Sequence, residues 1–417
     1  MRRLNNQDAL AVVVTDDAAQ WSSRGHLLMV ADGMGAHAAG ELASKLAVDN
    51  IPHTYFKLRD LYPPAALRQA IREVNSLIFA KGQSSIGFQG MGTTCSCLVL
   101  LPQGALVAHV GDSRVYRLRG HRLAQLTFDH SLVWEMAAAG QMAQEDVPSY
   151  IPKNVITRSL GPHENVNIDL EGPFDAAAGD VFLLCSDGLS GQISDEEIGA
   201  LLSCLPPEEA VQTLVDLANL RGGPDNISVV VARLVGDDGT PPKPGSAEPQ
   251  DTVVGGAAPP HENMFLPVVS VATLLALAFC LVNRWWIASA VSGAALLTSL
   301  GLLLSSRNRQ GGRDRMPVSL GGPYGNGPYR DTLAEPDEKL VASLAELAEK
   351  LRSLPEGQSL RINWQPLDEL TAAGKAAAES GDYCTAIRRY AEALRAVMQQ
   401  FRQHHLSTAD GSGAYRV

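Results

Sequence analysis

No two cysteines in this chain form a C-x-x-C pair, and no cysteine or histidine spacing matches a zinc site. The six that are present (Cys95, Cys97, Cys185, Cys204, Cys280 and Cys384) are scattered through apolar runs and read as buried thiols of a reducing compartment. Basic excess is also lacking. With 45 acids against 34 bases the net charge is -11, which excludes a general polyanion binder and leaves no nucleic acid among the expected partners. The opening stretch "MRRLNNQDAL" is positively charged but has no apolar run followed by small residues, so no secretory signal is expected there. Large apolar residues are nearly missing from Gly236 to Asn263, a Pro/Gly-rich stretch with the composition of a flexible linker. What remains is ample: 417 residues, 45% of them apolar, leave room for two or three domains.

Residues 1–235 read as one mixed α/β domain. Short β-branched runs ("ALAVVVT", "HLLMVA", "TTCSCLVLL", "ALVAHV", "DVFLLCSD", "NISVVVARLV") alternate with helical stretches, the clearest being Pro64 to Lys81 and Pro207 to Leu220. Hairpin-sized turns such as Pro102 to Gly104 favour antiparallel sheets over parallel βαβ repeats. Beyond the linker 236–263, Met264 to Val282 and Trp285 to Leu304 are uncharged runs separated only by Asn283 and Arg284. Each is about 30 Å long as a helix at ~1.5 Å per residue, which predicts a transmembrane hairpin over 264–304. Trp285 and Trp286 suit the interface, and Arg307, Arg309, Arg313 and Arg315 suit a cytoplasmic flank. The expected location is therefore the cell inner membrane, embedded in the lipid bilayer, with the N-terminal domain and the C-terminus cytoplasmic. Residues 305–336 read as a second linker. Residues 337–405 read as a small helical region: an amphipathic helix over Leu340 to Leu354, then a pair over Leu367 to Phe401 broken at "SGDY". Gly374, Ala386, Tyr390 and Ala393 resemble one tetratricopeptide unit, and a plain helical hairpin fits as well; either could dock a protein partner.

Five aspartates stand at the ends of apolar strand runs. Asp8 precedes "ALAVVV", Asp32 follows "LLMVA", Asp112 follows "VAHVG", Asp187 follows "VFLLCS", and Asp225 precedes "NISVVVARL". Each alone reads as an ordinary turn residue. If the strand ends converge, the set concentrates negative charge that only protonation or cations relieve. An all-oxygen ligand set favours Mg²⁺ or Mn²⁺ over zinc, and Gly33 beside Asp32 lets a backbone carbonyl come close to a metal. Two such ions in a carboxylate cage suit in-line attack of an activated water on a phosphoryl group. Arg3, five residues before Asp8, is a candidate grip for the phosphate oxygens.

The ordered series "RLNNQDAL", "VADGMGAHAAGELAS", "MGTTCSCLVL", "AHVGDSRVYRLR", "VITRSLG", "LLCSDGLSGQISDEEI" and "GGPDNISVVVARL" resembles the motifs of the metal-dependent protein phosphatases, the PPM or type 2C serine/threonine family, in its bacterial form. The resemblance covers about residues 1–235. It implies an α+β fold, a β-sandwich of two antiparallel sheets flanked by helices (α-β-β-α), with two Mn²⁺ or Mg²⁺ ions in a cleft at one end. It implies that Asp32 bridges both ions, that Gly33 offers its carbonyl to one, and that Asp187 and Asp225 complete the other. Asp112, with Asp187, matches the position of a third, looser ion. Asp8 matches a residue that holds water on the metal, and Arg3 the phosphate-binding arginine. A mobile flap is implied near Gly140 to Tyr150. Gln7 stands where many members carry glutamate, and Met34 where some carry a histidine; His37 is then the candidate proton donor to the leaving oxygen, or else a histidine in solvent at a helix start. The activity implied is hydrolysis of phosphoserine and phosphothreonine in phosphorylated proteins, with serine/threonine kinases and their substrates as partners. The rival reading is a weakly metal-holding pseudophosphatase that scaffolds through its C-terminal helices.

Overall fold

Two tight turns, at residues 102–103 and 120–121, make antiparallel hairpins of the strands they join. The computed structural model describes residues 5–36, 38–140, 155–236, 320–353 and 362–411. These fall within a single compact unit made of Met1–Ala247 and Val318–Val417.

Sheet one runs in the order β1 (Asp8–Val13), β2 (His26–Met34), β4 (Cys95–Leu101), β5 (Gly104–Val110) and β8 (Asp169–Phe174), with the short β3 (Gly92–Thr93) also paired to β2. Sheet two runs β10 (Val229–Arg233), β9 (Val181–Cys185), β6 (Arg114–Arg119), β7 (Arg122–Gln125) and β11 (Arg330–Leu333). Every pairing is antiparallel. Between the sheets lies a core of Leu28, Val30, Leu98 and Val107 against Val115, Leu126, Phe182 and Leu184. The outer face of sheet one is covered by α2 (Ala39–Lys57) and α3 (Pro63–Gln83), whose Ile51, Tyr55, Leu67 and Ile71 are fully buried. Helix α1 (Ala18–Arg24) starts on Asp17, whose carboxylate accepts from the backbone of Ala19 and Gln20.

The outer face of sheet two is covered by α6 (Asp195–Cys204) and α7 (Pro207–Leu220), which follow the single-turn α5 (Asp187–Ser190). Ser194 and Glu197 form a capping box that starts α6, and Pro207 with Glu208 and Glu209 starts α7. This third core does not end with the family-like region. It continues into α8 (Glu338–Ser353), α9 (Gln365–Glu379) and α10 (Tyr383–Gly411), burying Leu344, Leu351, Ile387, Leu394 and Val397 with Leu201, Leu214 and Leu217. On α10, arginines recur every seven residues, two helical turns, and meet a matching series. Arg388 Nε donates to the carbonyl of Cys204 (2.5 Å), Arg395 pairs with Glu209 (2.5 Å), and Arg402 pairs with the buried Asp216. The partners advance together in sequence, so α7 and α10 run parallel. Gly374 of α9 lies where a Cβ would come within 2.9 Å of the Tyr390 ring, which explains the small residue in the helix pair.

Two expectations are corrected. The segment 305–336 is not wholly a linker: Leu320–Leu333 contributes β11 to sheet two and bridges sheet one where Tyr324 pairs with Gly172. The transmembrane hairpin is not supported, because among the described residues no helix is long and apolar enough to cross a membrane. The longest, α10, has a polar average composition and one apolar face, while α3 carries Arg68, Arg72, Glu73 and Lys81. Residues 264–304, on which that expectation rested, lie outside the described residues. An uncharged run of sufficient length is necessary for a spanning helix but does not by itself form one. The thiols Cys95, Cys97, Cys185 and Cys204 are buried and free, and Cys384 is free and partly buried.

Candidate metal centre and active site

The register of β1 on β2 makes Asp8 and Asp32 direct partners, which puts their side chains on the same face of the sheet. Thr94 locks Asp32 from the other side: Asp32 N donates to Thr94 Oγ1 (2.8 Å), and Thr94 N donates to the Asp32 carbonyl (2.8 Å). The same hydroxyl shares a 2.7 Å hydrogen bond with Ser113, the neighbour of Asp112. Asp112 sits in the turn from β5 to β6, where Gly111 has φ +115°. Gly111 N donates to Nδ1 of the buried His130 (2.9 Å). That nitrogen accepts, so the ring proton is on Nε2, which donates to Asp169 (2.8 Å). Arg158 donates to the other Asp169 oxygen (2.9 Å). The Asp112 turn is thus held from behind by a His130–Asp169–Arg158 chain.

Asp187 opens α5 immediately after β9, and Asp225 lies in the loop between α7 and β10. Ser186 joins these segments to β1: its hydroxyl donates to Asp8 Oδ2 (2.8 Å) and accepts from Ser228 N (3.0 Å). Asn226 stitches the N-terminal segment to the Asp225 loop, accepting from Gln7 N (3.0 Å) and donating to the Asn5 carbonyl (3.1 Å). Helix α5 fits only because Gly188 has no side chain, since a Cβ there would collide with the Asn226 carbonyl. Gly188→Ala should therefore lower the melting temperature, by an overpacking cost of about 1–3 kcal/mol, and reduce activity as the Asp225 loop moves. Thermal melts paired with activity assays check it.

The five aspartates repel one another. Asp32 is pushed well above the usual carboxylate range by burial and then by the charges of Asp8, Asp187, Asp112 and Asp225. Burial, with Asp187 and Asp129 nearby, pushes Asp112 up to about 7. Burial also raises Asp8 to about 6, with Asp187 and Asp225 adding to the rise and hydrogen bonds from Ser186 and Ser228 opposing it. Asp8 Oδ1 and Asp112 Oδ1 are buried and accept no hydrogen bond. Buried carboxylate oxygens without donors are costly, and an all-oxygen, net-negative set is what Mg²⁺ and Mn²⁺ prefer. The residues fit a hard divalent cation in charge and chemistry. As placed, they do not close upon one: among the described residues no group of three or more His, Cys, Asp or Glu side chains is positioned to hold a metal ion.

All five aspartates singled out from the sequence lie at this end of the sandwich. Gly33 is buried beside them, donating from N to the Gln7 carbonyl (3.1 Å) and packed so tightly on Gly40 that a Cβ would collide. Gln7 Nε2 donates to the Gly35 carbonyl (3.4 Å), a bond glutamate could not make as a carboxylate. Arg3, His37 and residues 141–150 of the flap position lie outside the described residues. In the sequence Thr94, Ser186 and Asn226 each look like an ordinary polar turn residue, and nothing there marks their role. His130 carries one signal, since "FDHS" puts two titratable residues side by side.

Residues 2–218, more than half of the chain, match the family model described as Protein phosphatase 2C. The chain belongs to the protein phosphatase 2C family. It is 35% identical over 246 residues to protein phosphatase PhpP of Streptococcus pneumoniae, covering 57% of this chain and 95% of PhpP. The S. agalactiae serine/threonine phosphatase structure shares 34% identity at a TM-score of 0.50, covering 57% of this chain and 96% of that one. The catalytic domain of the serine/threonine phosphatase PstP, solved in complex with 2 manganese ions, shares 36% identity over 57% of this chain and 94% of that one, at a TM-score of 0.47. By family the chain is a serine/threonine protein phosphatase.

Proposed function

We propose that the acidic end of the sandwich hydrolyses phosphoserine and phosphothreonine monoesters on proteins at a centre of two Mn²⁺ or Mg²⁺ ions. The observation that carries this is the convergence of five mutually repelling aspartates, two of which present buried oxygens that accept no hydrogen bond. Asp32, the Gly33 carbonyl, Asp187 and Asp225 would hold the two ions, and Asp112 a third. Such ions, when bound, supply the Lewis acidity that activates water and neutralises charge on phosphoryl oxygens. The chain's own groups do the rest. Asp8, fixed through Oδ2 by Ser186, keeps Oδ1 available to orient water. Asn226 fixes the backbone at Asn5, two residues from Arg3, whose guanidinium grips two phosphate oxygens. His37 delivers the proton to the leaving serine or threonine oxygen. Serine/threonine kinases that phosphorylate the same proteins are the natural opponents.

The purified full-length chain, assayed on a phosphothreonine peptide and on p-nitrophenyl phosphate, should be active with Mn²⁺ and silent in EDTA. Turnover that persists in EDTA, or in Asp187→Asn, would sink this reading. Proton linkage adds a second test. At pH 5.5 Asp8 and Asp112, raised to about 6 and about 7, hold protons that a cation must displace. Mn²⁺ affinity measured by calorimetry should therefore fall by about tenfold per pH unit below about 7, where Asp112 takes up its proton, and more steeply below about 6, where Asp8 does so as well. In the metal-free protein the sign reverses. The folded state takes up protons that the unfolded state, with carboxyls at 3.8, has already lost. The cluster's contribution to stability is therefore greatest at low pH and is lost as pH rises through about 7.

A further inference from the structure

The strap Leu320–Leu333 lies outside residues 2–218, yet it reaches the support of the Asp112 turn. Gly327 N (3.0 Å) and the Tyr329 hydroxyl (2.6 Å) donate to the buried Glu171 of β8, and β11 then pairs with β7, with Arg330 opposite Gln125. This register delivers Arg330 onto the ring of Trp134, in helix α4 (Leu132–Ala138), with its guanidinium carbon 5.0 Å from the ring centroid. Arg114, two residues from Asp112, also lies over that ring, at 5.7 Å. Both arginines approach Asp195 at 3.6 Å, and Arg114 is gripped by Asp129 at 2.7 Å. Phe128 braces the stack, its ring 5.4 Å from both Trp134 and Tyr329. Guanidinium groups stack on indole faces, so two arginines on Trp134 tie α4 to the segment that carries Asp112.

We propose that Arg330 is a positioning residue for the phosphatase reaction: through Trp134 and Arg114 it holds α4 and the Asp112 turn in place against the carboxylate cluster. This rests on the metal-dependent reading above for its catalytic consequence, though not for its structural one. Arg330 acts through the stack: its guanidinium lies over Trp134 and approaches Asp195, and its backbone is held in register by Gln125. A positional role and an electrostatic one differ in sign. Removing a nearby cation would tighten Mn²⁺ binding if its charge were what mattered, whereas loosening the Asp112 turn weakens it.

The test compares Arg330→Ala with Arg122→Ala in the full-length chain. Arg122 pairs with Asp331 (3.0 Å) on the same strap without touching Trp134. Arg330→Ala should raise the Mn²⁺ dissociation constant measured by calorimetry about tenfold, the lower end of the effect of outer-shell partners. It should also speed amide hydrogen exchange across Leu132–Ala138 and at Gly111. Arg122→Ala should leave both unchanged. Equal effects of the two variants, tighter Mn²⁺ binding, or unaltered exchange in α4 with Arg330→Ala would each overturn the proposal. A wild-type chain that binds Mn²⁺ but dephosphorylates nothing would defeat the function proposed above, while the exchange comparison would still decide the role of Arg330.

Discussion

Asp32→Asn should give a protein that melts higher than the wild type without metal and has lost its phosphatase activity. Asp32 is the carboxylate on which four others act: Asp8, Asp187, Asp112 and Asp225 all raise its pKa on top of its burial. Neutralising it removes the repulsion that the folded, metal-free state bears, and asparagine keeps the volume. Its backbone bonds to Thr94 do not involve the side chain and survive. The same change takes away a carboxylate that would help hold the proposed metal ions, so turnover should fall by at least ~10²–10³-fold, the scale for losing a principal electrostatic contact to the transition state. Thermal melts in EDTA and in Mn²⁺, together with phosphopeptide turnover, check both halves. A variant that melts lower in EDTA would show that the aspartates do not repel as described.

Ending the chain after Gly236 should be equally severe. The family-like region would then lack β11 on sheet two and the helices α8 to α10 over α6 and α7. Leu201, Leu214 and Leu217 belong to a core shared with Leu344, Ile387 and Leu394, and burial of each large apolar side chain contributes about 1.5–3 kcal/mol. Losing several consumes a margin of only about 5–15 kcal/mol. The truncated protein should lack a cooperative melt and bind a dye for exposed apolar surface. Arg402→Ala isolates one contact: it leaves the buried Asp216 without its ion-pair partner and should cost about 1–3 kcal/mol. A truncated chain that melts like the full one would show that the shared core adds little.

The acidic end was legible because each aspartate punctuates an apolar run, and such punctuation survives in sequence. Strands β6 and β7 were harder to see. In "RVYRLR" arginines alternate with apolar residues, and the arginines are held by Asp129, Asp175 and Asp180, partners that only the folded chain brings near. β11, "RDTL", has too little apolar character to announce a strand, and its register comes wholly from β7. The docking of α10 was written in the seven-residue spacing of Arg388, Arg395 and Arg402 and of Glu209 and Asp216. A spacing on one helix says nothing until its partner helix is known. Ser186 and Asn226 carry no signal in the sequence for a related reason: their importance lies in contacts to Asp8 and Asn5, about 180 and 220 residues away in the chain.

The pairing of β11 with β7 also bears on how the protein is made. Gln125 leaves the ribosome about two hundred residues before Arg330, its ladder partner. At roughly 5–20 residues per second, β7 stands as a bare sheet edge for roughly 10–40 s during synthesis. Exposed edges invite pairing with other chains. The nascent protein therefore passes through a window in which Arg122–Gln125 lacks its ladder partner, and slower translation should lower the soluble fraction.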